Sequence, residues 1–158
     1  MIRKSGVLLA VLTALVLTVS SVFAVAAKFH DVSSSVNGDG ALVVSWDERG
    51  VGEGDISYTL TADATALWAC FNRGGKNPAA QNKRSVEGDV AAAGDFASKN
   101  GRVQGTLVSG PLDPGDFSCP SGQVMRLASV SYTNIVLTDV TNDSTTTAPN
   151  VSATFIAV

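Results

Sequence analysis

The chain has one histidine, His30, and two cysteines, Cys70 and Cys119, in 158 residues. A single histidine excludes a multi-histidine metal site by count. Any Ser-His-Asp or Cys-His triad would have to use His30. That residue stands close to the expected mature amino terminus, a poor mount for a catalytic base, and is read as a surface histidine. Aromatic residues are scarce at 6%, and charged residues at 16% are too few for a coiled coil. The 45% hydrophobic content in turn excludes a disordered chain. There is no basic tail or stripe, so nucleic-acid binding is disfavoured. Gly74-Gly75-Lys76 lacks the Ser or Thr that a phosphate loop places after its lysine, since Asn77 follows. No calcium-loop consensus occurs.

Charge is also missing from the first segment. Arg3 and Lys4 form a short basic region, and Gly6 to Ala27 is uncharged and rich in Leu, Val and Ala. Ala24-Val25-Ala26 and Val25-Ala26-Ala27 both fit a small-residue cleavage site. This is the layout of a secretory signal. The expected organisation is a signal peptide over 1–27, cleaved after Ala26 or Ala27, and one domain over 28–158. Without Arg3 and Lys4, 9 basic residues face 14 acidic ones, a net charge of −5. The expected location is outside the cell, free or associated with the cell surface.

Two cysteines in an oxidising compartment most simply pair with each other. With 48 residues between Cys70 and Cys119, the chain-entropy model assigns such a bridge roughly 4 kcal/mol.

Hydrophobicity alternates with period two along most of the remaining chain. Leu42, Val44 and Trp46 share one parity, as do Ile56, Tyr58, Leu60 and Ala62. Ala64, Ala66, Trp68 and Cys70 continue that face after an expected bend. Val90 to Phe96, Val103 to Leu107 and Val151 to Ala157 alternate likewise. These are the marks of half-buried strands. Asn37-Gly38-Asp39-Gly40, Asn100-Gly101 and Asp113-Pro114-Gly115-Asp116 supply turns. The best helical candidate, Asn77 to Lys83, is a single turn. In Val124 to Thr138 the apolar parity switches twice. Bulges near Ala128 and Thr133 are expected, on a strand that leaves one sheet for the other. About eight short strands predict an all-β, antiparallel two-sheet β-sandwich, immunoglobulin-like in architecture. The immunoglobulin order Cys, Trp, Cys is not met, because Trp46 and Trp68 both precede Cys70.

Trp68-Ala69-Cys70-Phe71-Asn72-Arg73-Gly74-Gly75-Lys76-Asn77-Pro78, Asn82-Lys83, Phe117-Ser118-Cys119-Pro120-Ser121-Gly122-Gln123 and Ser129-Val130-Ser131-Tyr132-Thr133-Asn134 together resemble small secreted actinobacterial proteins of uncharacterised function. The resemblance covers residues 56–140. It implies secretion and a disulfide bridge, and it transfers no activity and no catalytic residue.

No enzyme, cofactor or metal is expected. Asp47 with Glu48, Glu53 with Asp55, and Asp113 with Asp116 are read as solvated turn acids. Trp46, Trp68, Tyr58 and Tyr132 are expected to fill the core. The sequons at Asn142 and Asn150 matter only in a eukaryotic host. The leading expectation is a secreted binding or adhesion module whose partner is a protein or an anionic envelope polymer. The alternative is a structural envelope protein without a small-molecule ligand. The connection Phe71 to Arg84 carries Arg73, Lys76, Lys83 and Arg84 and no acid. It is the candidate binding loop.

Overall fold

The computed structural model describes residues 26–72, 74 and 82–158. The expected signal segment up to residue 25 lies outside them, as do the first five residues of the expected one-turn helix. Asn82 and Lys83 are described, and Lys83 opens a strand.

Eight strands follow in order: β1 Lys28–Val36, β2 Leu42–Arg49, β3 Asp55–Phe71, β4 Lys83–Ala97, β5 Arg102–Ser109, β6 Val124–Asp139, β7 Ser144–Thr147 and β8 Val151–Thr154. They form two antiparallel sheets, the all-β arrangement that the alternation predicts. One sheet has the order β1-β2-β5; the other has five strands, β4-β3-β6-β7, with β8 also paired to β6.

Period-two patterning builds the core directly, because alternate side chains of a strand share a face. Leu42, Val44 and Trp46 of β2 are buried against Ile56, Tyr58, Leu60, Ala62, Ala64 and Ala66 of β3 and Val130, Tyr132, Ile135 and Leu137 of β6. Three of the strands are long rather than short. β3, β4 and β6 run for 17, 15 and 16 residues. Ile56 to Ala66 keep one parity on a continuous strand, as expected, and the β6 partner strand bulges opposite Thr61 and Asp63, next to the point where the sequence suggests a bend.

The face switches of β6 have the predicted cause and a different consequence. The register shifts opposite Leu67/Trp68, leaving Ala128 as the extra residue, and again opposite Thr61/Asp63, near Asn134. Asn134 takes a positive φ of 49° there. The strand does not cross between sheets. It pairs with β3 on both sides of each bulge, so the extra residues absorb the phase change within one sheet.

Turn chemistry follows the sequence. Asn100 and Gly101 have φ of 54° and 68°, both positive as a type I′ turn requires. The strands that this turn joins nevertheless go to different sheets; the Lys99–Arg102 bridge closes the turn, and the Ser109 hydroxyl of β5 donates to the Ala91 carbonyl of β4 at 2.8 Å. Gly115 takes φ of 62° in the Asp113 turn, and its N–H donates to Asp113 Oδ1 at 2.8 Å.

Cys70, near the end of β3, is bonded to Cys119 in the β5–β6 connection, with Cα atoms 5.5 Å apart. The bridge therefore ties a strand of the larger sheet to the segment that arrives from the smaller one. Cys70 is buried and Cys119 half-buried. A second tie is Tyr132, whose hydroxyl donates to the Gly40 carbonyl at 2.7 Å and pins the β1–β2 turn to β6.

The alternation expected to run to Ala157 stops at Thr154. The Phe155 and Ile156 N–H groups both donate to the Ala128 carbonyl, at 2.8 and 3.2 Å. This turns Phe155 outward and lets Ile156 and Val158 pack on a small second cluster of Ala69, Phe71 and Ala128.

Candidate functional site

The outer face of the three-stranded sheet carries polar side chains in register. Ser33 of β1, Ser45 of β2 and Thr106 of β5 form one row across the strands, and Asp31, Asp47 and Gln104 form the next. Ser45 Oγ and Thr106 Oγ1 are hydrogen-bonded at 2.9 Å. Together these rows line a depression of about 580 Å³, whose lining Trp46, Gly105 and Phe96 complete.

Asp47 is the fixed charge of this face. Arg102 pairs with Arg49 across the ladder, so its guanidinium reaches diagonally to Asp47 on the same face. Arg102 Nε donates to Oδ1 at 2.6 Å and Nη2 to Oδ2 at 2.7 Å, a two-pronged contact. Arg49 Nη2 adds a third bond at 3.1 Å. The Arg102 hydrogen bonds, opposed by burial and reinforced by Arg49, hold the Asp47 carboxyl down at about 2.

Directly behind, the sheet is backed by aromatic rings. Trp46 stands opposite Gly105, and a Cβ on Gly105 would lie 2.4 Å from the indole Cζ2. Only glycine leaves room for the ring there. The indole meets Tyr58 at 4.7 Å and Phe96 at 4.9 Å between centroids.

A buried polar cluster lies between the sheets at one end. Glu48 continues the inward parity of Leu42, Val44 and Trp46 and is 0% exposed. Its Oε2 accepts a 2.8 Å hydrogen bond from the Tyr58 hydroxyl, and its Oε1 has no partner. Asp139, also 0% exposed, pairs with Tyr58 across the β3–β6 ladder. Its two oxygens accept from the Asn142 backbone and side-chain N–H groups at 2.9 and 2.7 Å, closing the β6–β7 turn. Burial pushes the Glu48 carboxyl up to about 6, against the Tyr58 hydrogen bond and with help from the Asp139 charge. Burial also pushes the Tyr58 phenol up, so it remains a donor.

These two acids correct the reading of Asp47 and Glu48 as solvated turn acids. Both belong to β2, and Asp47 is 9% exposed. The parity that runs through Leu42, Val44 and Trp46 was the signal that placed Glu48 inward.

Of the candidate binding loop, Arg73 and Lys76 lie outside the described residues. Lys83 and Arg84 open β4, opposite Ala69 and Trp68 on β3. His30 is exposed at the β1 bulge between Phe29 and Asp31. Trp46, Tyr58 and Tyr132 fill the core, as expected. Trp68 is half-buried and donates its indole N–H to the Leu112 carbonyl at 3.0 Å. Among the described residues no group of three or more His, Cys, Asp or Glu is placed to hold a metal ion. Comparison with protein-family models, curated proteins and solved structures finds no match.

Proposed function

We propose that the chain is an extracellular, disulfide-bridged, immunoglobulin-like module that binds a protein partner, without catalysing a reaction, through the outer face of its three-stranded sheet. The strand order supports the topology. In immunoglobulin lettering, β1-β2-β5 corresponds to A-B-E and β4-β3-β6-β7 to C′-C-F-G. The bridge departs from antibody domains by joining strand C to the E–F connection. Export from the cell is in keeping with the disulfide.

The observation that carries the binding reading is the Asp47–Arg102 pair set in a row of hydroxyl and amide groups. Its charges and donors are held in place before any partner arrives, which lowers the ordering cost of association. Arg49, whose side chain is 53% exposed, has donors left for a partner carbonyl or carboxylate. A protein surface is favoured over a glycan because Trp46, Tyr58 and Tyr132 are spent in the core rather than presented for sugar stacking.

Thr106→Arg would fill the depression from an exposed position, and Thr61→Arg on the exposed outer face of the other sheet is the control. Both proteins are cross-linked to the native extracellular fraction. Loss of one defined protein adduct with Thr106→Arg alone is the expected result. Equal adducts from both variants, or salt-sensitive retention on envelope polymer that neither variant changes, would overturn it.

A further inference from the structure

The end of the molecule where β1 begins combines buried acid with a cleft. Glu48 stands opposite Phe29 of β1, and Asp139 opposite Ser144 of β7. Among the described residues the ion pairs all involve Asp47, so neither of these fully buried carboxyls has a basic side chain at ion-pair distance. One Glu48 oxygen is without any hydrogen-bond partner. Neither carboxyl lines the cleft of about 860 Å³ at this end, but Ser144, the cross-strand partner of Asp139, does. Ala26 and Ala27 line one part of it, and residues 50–52 and 142–145 line the rest.

Ala27 packs against the main core. Side chains two residues apart on a strand share a face. Ala27 therefore continues the face of Phe29, which is the face on which Glu48 stands. Of the two expected cleavage positions, the one after Ala26 keeps this contact, and the one after Ala27 discards it.

We propose that the cleft seats the mature chain's own amino terminus: hydrolysis of the Ala26–Ala27 bond creates an α-ammonium that settles between Asp143 and the buried Glu48–Asp139 end of the sandwich. In that step water adds its hydroxyl to the Ala26 carbonyl carbon, the C–N bond breaks, and the released amine takes up a proton. A neutral amide becomes a cation where the structure holds acid. Asp143 lines the cleft, and Asn142 and Ser144 supply polar side chains. Charged or titratable groups nearby include Tyr58, bonded to Glu48, Lys28 and Arg49, which face each other across β1 and β2 and are both exposed, and Arg102 opposite Arg49, with Asp47 paired to both arginines. The inference rests on the export reading for its chemistry, though not on any partner of the sheet face.

The test compares three forms of the 27–158 chain: a free Ala27 terminus, the same chain Nα-acetylated, and the free chain with Asp143→Asn. The α-amino pKa is measured by NMR titration, and thermal midpoints are measured at pH 7. The expected pKa is about one unit above the ordinary value near 8, a tenfold shift in its protonation equilibrium. Acetylation should lower the midpoint by a few degrees, and Asp143→Asn should return the pKa part of the way. An ordinary pKa together with an unchanged midpoint on acetylation would overturn the proposal. Amino-terminal sequencing of the exported protein separates the two premises. A first residue other than Ala27 refutes the maturation step in the natural protein, whereas the titration judges the cleft alone.

Discussion

Tyr58 and Glu48 face each other across the gap between the sheets, and the phenol hydroxyl donates 2.8 Å to Glu48 Oε2 where both side chains are out of contact with water. The bond joins β2 of one sheet to β3 of the other within the buried polar cluster that also holds Asp139. A buried acceptor that loses its donor keeps its full desolvation cost, about 1–3 kcal/mol. Tyr58→Phe should therefore destabilise the domain by about that amount at pH 7, as read by urea unfolding. An unchanged midpoint would show that Glu48 finds another donor.

Glu48 should also set the slope of stability against pH. Its carboxyl rises on folding from 4.5 to about 6, so the folded chain favours the protonated form. Stability is then highest below pH 4.5 with respect to this group and falls as pH rises toward 6, by about 2 kcal/mol. Glu48→Gln, which cannot ionise, should remove that fall and leave the variant more stable than the parent at pH 7. A parallel pH profile in the two proteins would refute the assignment.

Asp47 acts in the opposite direction. Its carboxyl is lowered from 3.8 to about 2 by Arg102, so its contribution is complete above pH 3.8 and disappears as pH falls toward 2. Acting together, the two groups place a stability maximum near pH 4 rather than at neutrality. Arg102→Gln should shrink the loss on the acid side attributable to Asp47, with Arg49 sustaining the remainder, while leaving the Glu48 slope between pH 4.5 and 6 in place. Thermal melts at intervals of half a pH unit resolve both limbs.

Reduction of the Cys70–Cys119 bridge, or its replacement by serines, should cost roughly 4 kcal/mol through restored freedom of the unfolded loop. Denaturant unfolding of the double variant against the oxidised parent measures this. A loss below about 1 kcal/mol would mean that the unfolded chain is already compact around this loop.

Gly105→Ala should be far more damaging than a single methyl suggests. The added carbon would fall 2.4 Å from the Trp46 ring, which Tyr58 and Phe96 hold from the other side. Overpacking of this kind costs about 1–3 kcal/mol. Near-ultraviolet circular dichroism should report the displaced indole, and a native spectrum with native stability would show that the ring has room to move.

The strands were legible in the sequence because a half-buried strand writes its inner face as every second residue. Ile56, Tyr58 and Leu60 show this, and so do Leu42, Val44 and Trp46. The same rule placed Glu48 inward, yet a carboxylate beside Arg49-Gly50 reads locally as a turn acid. What makes its burial tolerable is Tyr58, and what raises its pKa further is Asp139 on a strand far along the chain. Partners of that kind are set by the stacking of sheets and leave no local pattern. The bulges at Ala128 and Asn134 were visible as parity switches. Their consequence was not, because parity records which face a residue takes and not which sheet the strand belongs to. Phe155 shows the same limit. Its outward turn depends on a carbonyl of Ala128 that two N–H groups share.

The pairing of β3 with β6 has a consequence for how quickly the chain can reach this arrangement. Phe71 meets Val124 and Tyr58 meets Asp139, partners 53 and 81 positions apart in the chain. The inner strand pair of the larger sheet thus closes only after a long stretch of polypeptide has been brought round, and the gain in contacts comes after that entropy has been lost. Domains dominated by such distant pairings fold in milliseconds to seconds rather than microseconds. Over that interval β3, with its run of Ile, Tyr, Leu and Ala, waits beside β4 with one edge open. The period of greatest exposure to misassociation is therefore the one before β6 arrives.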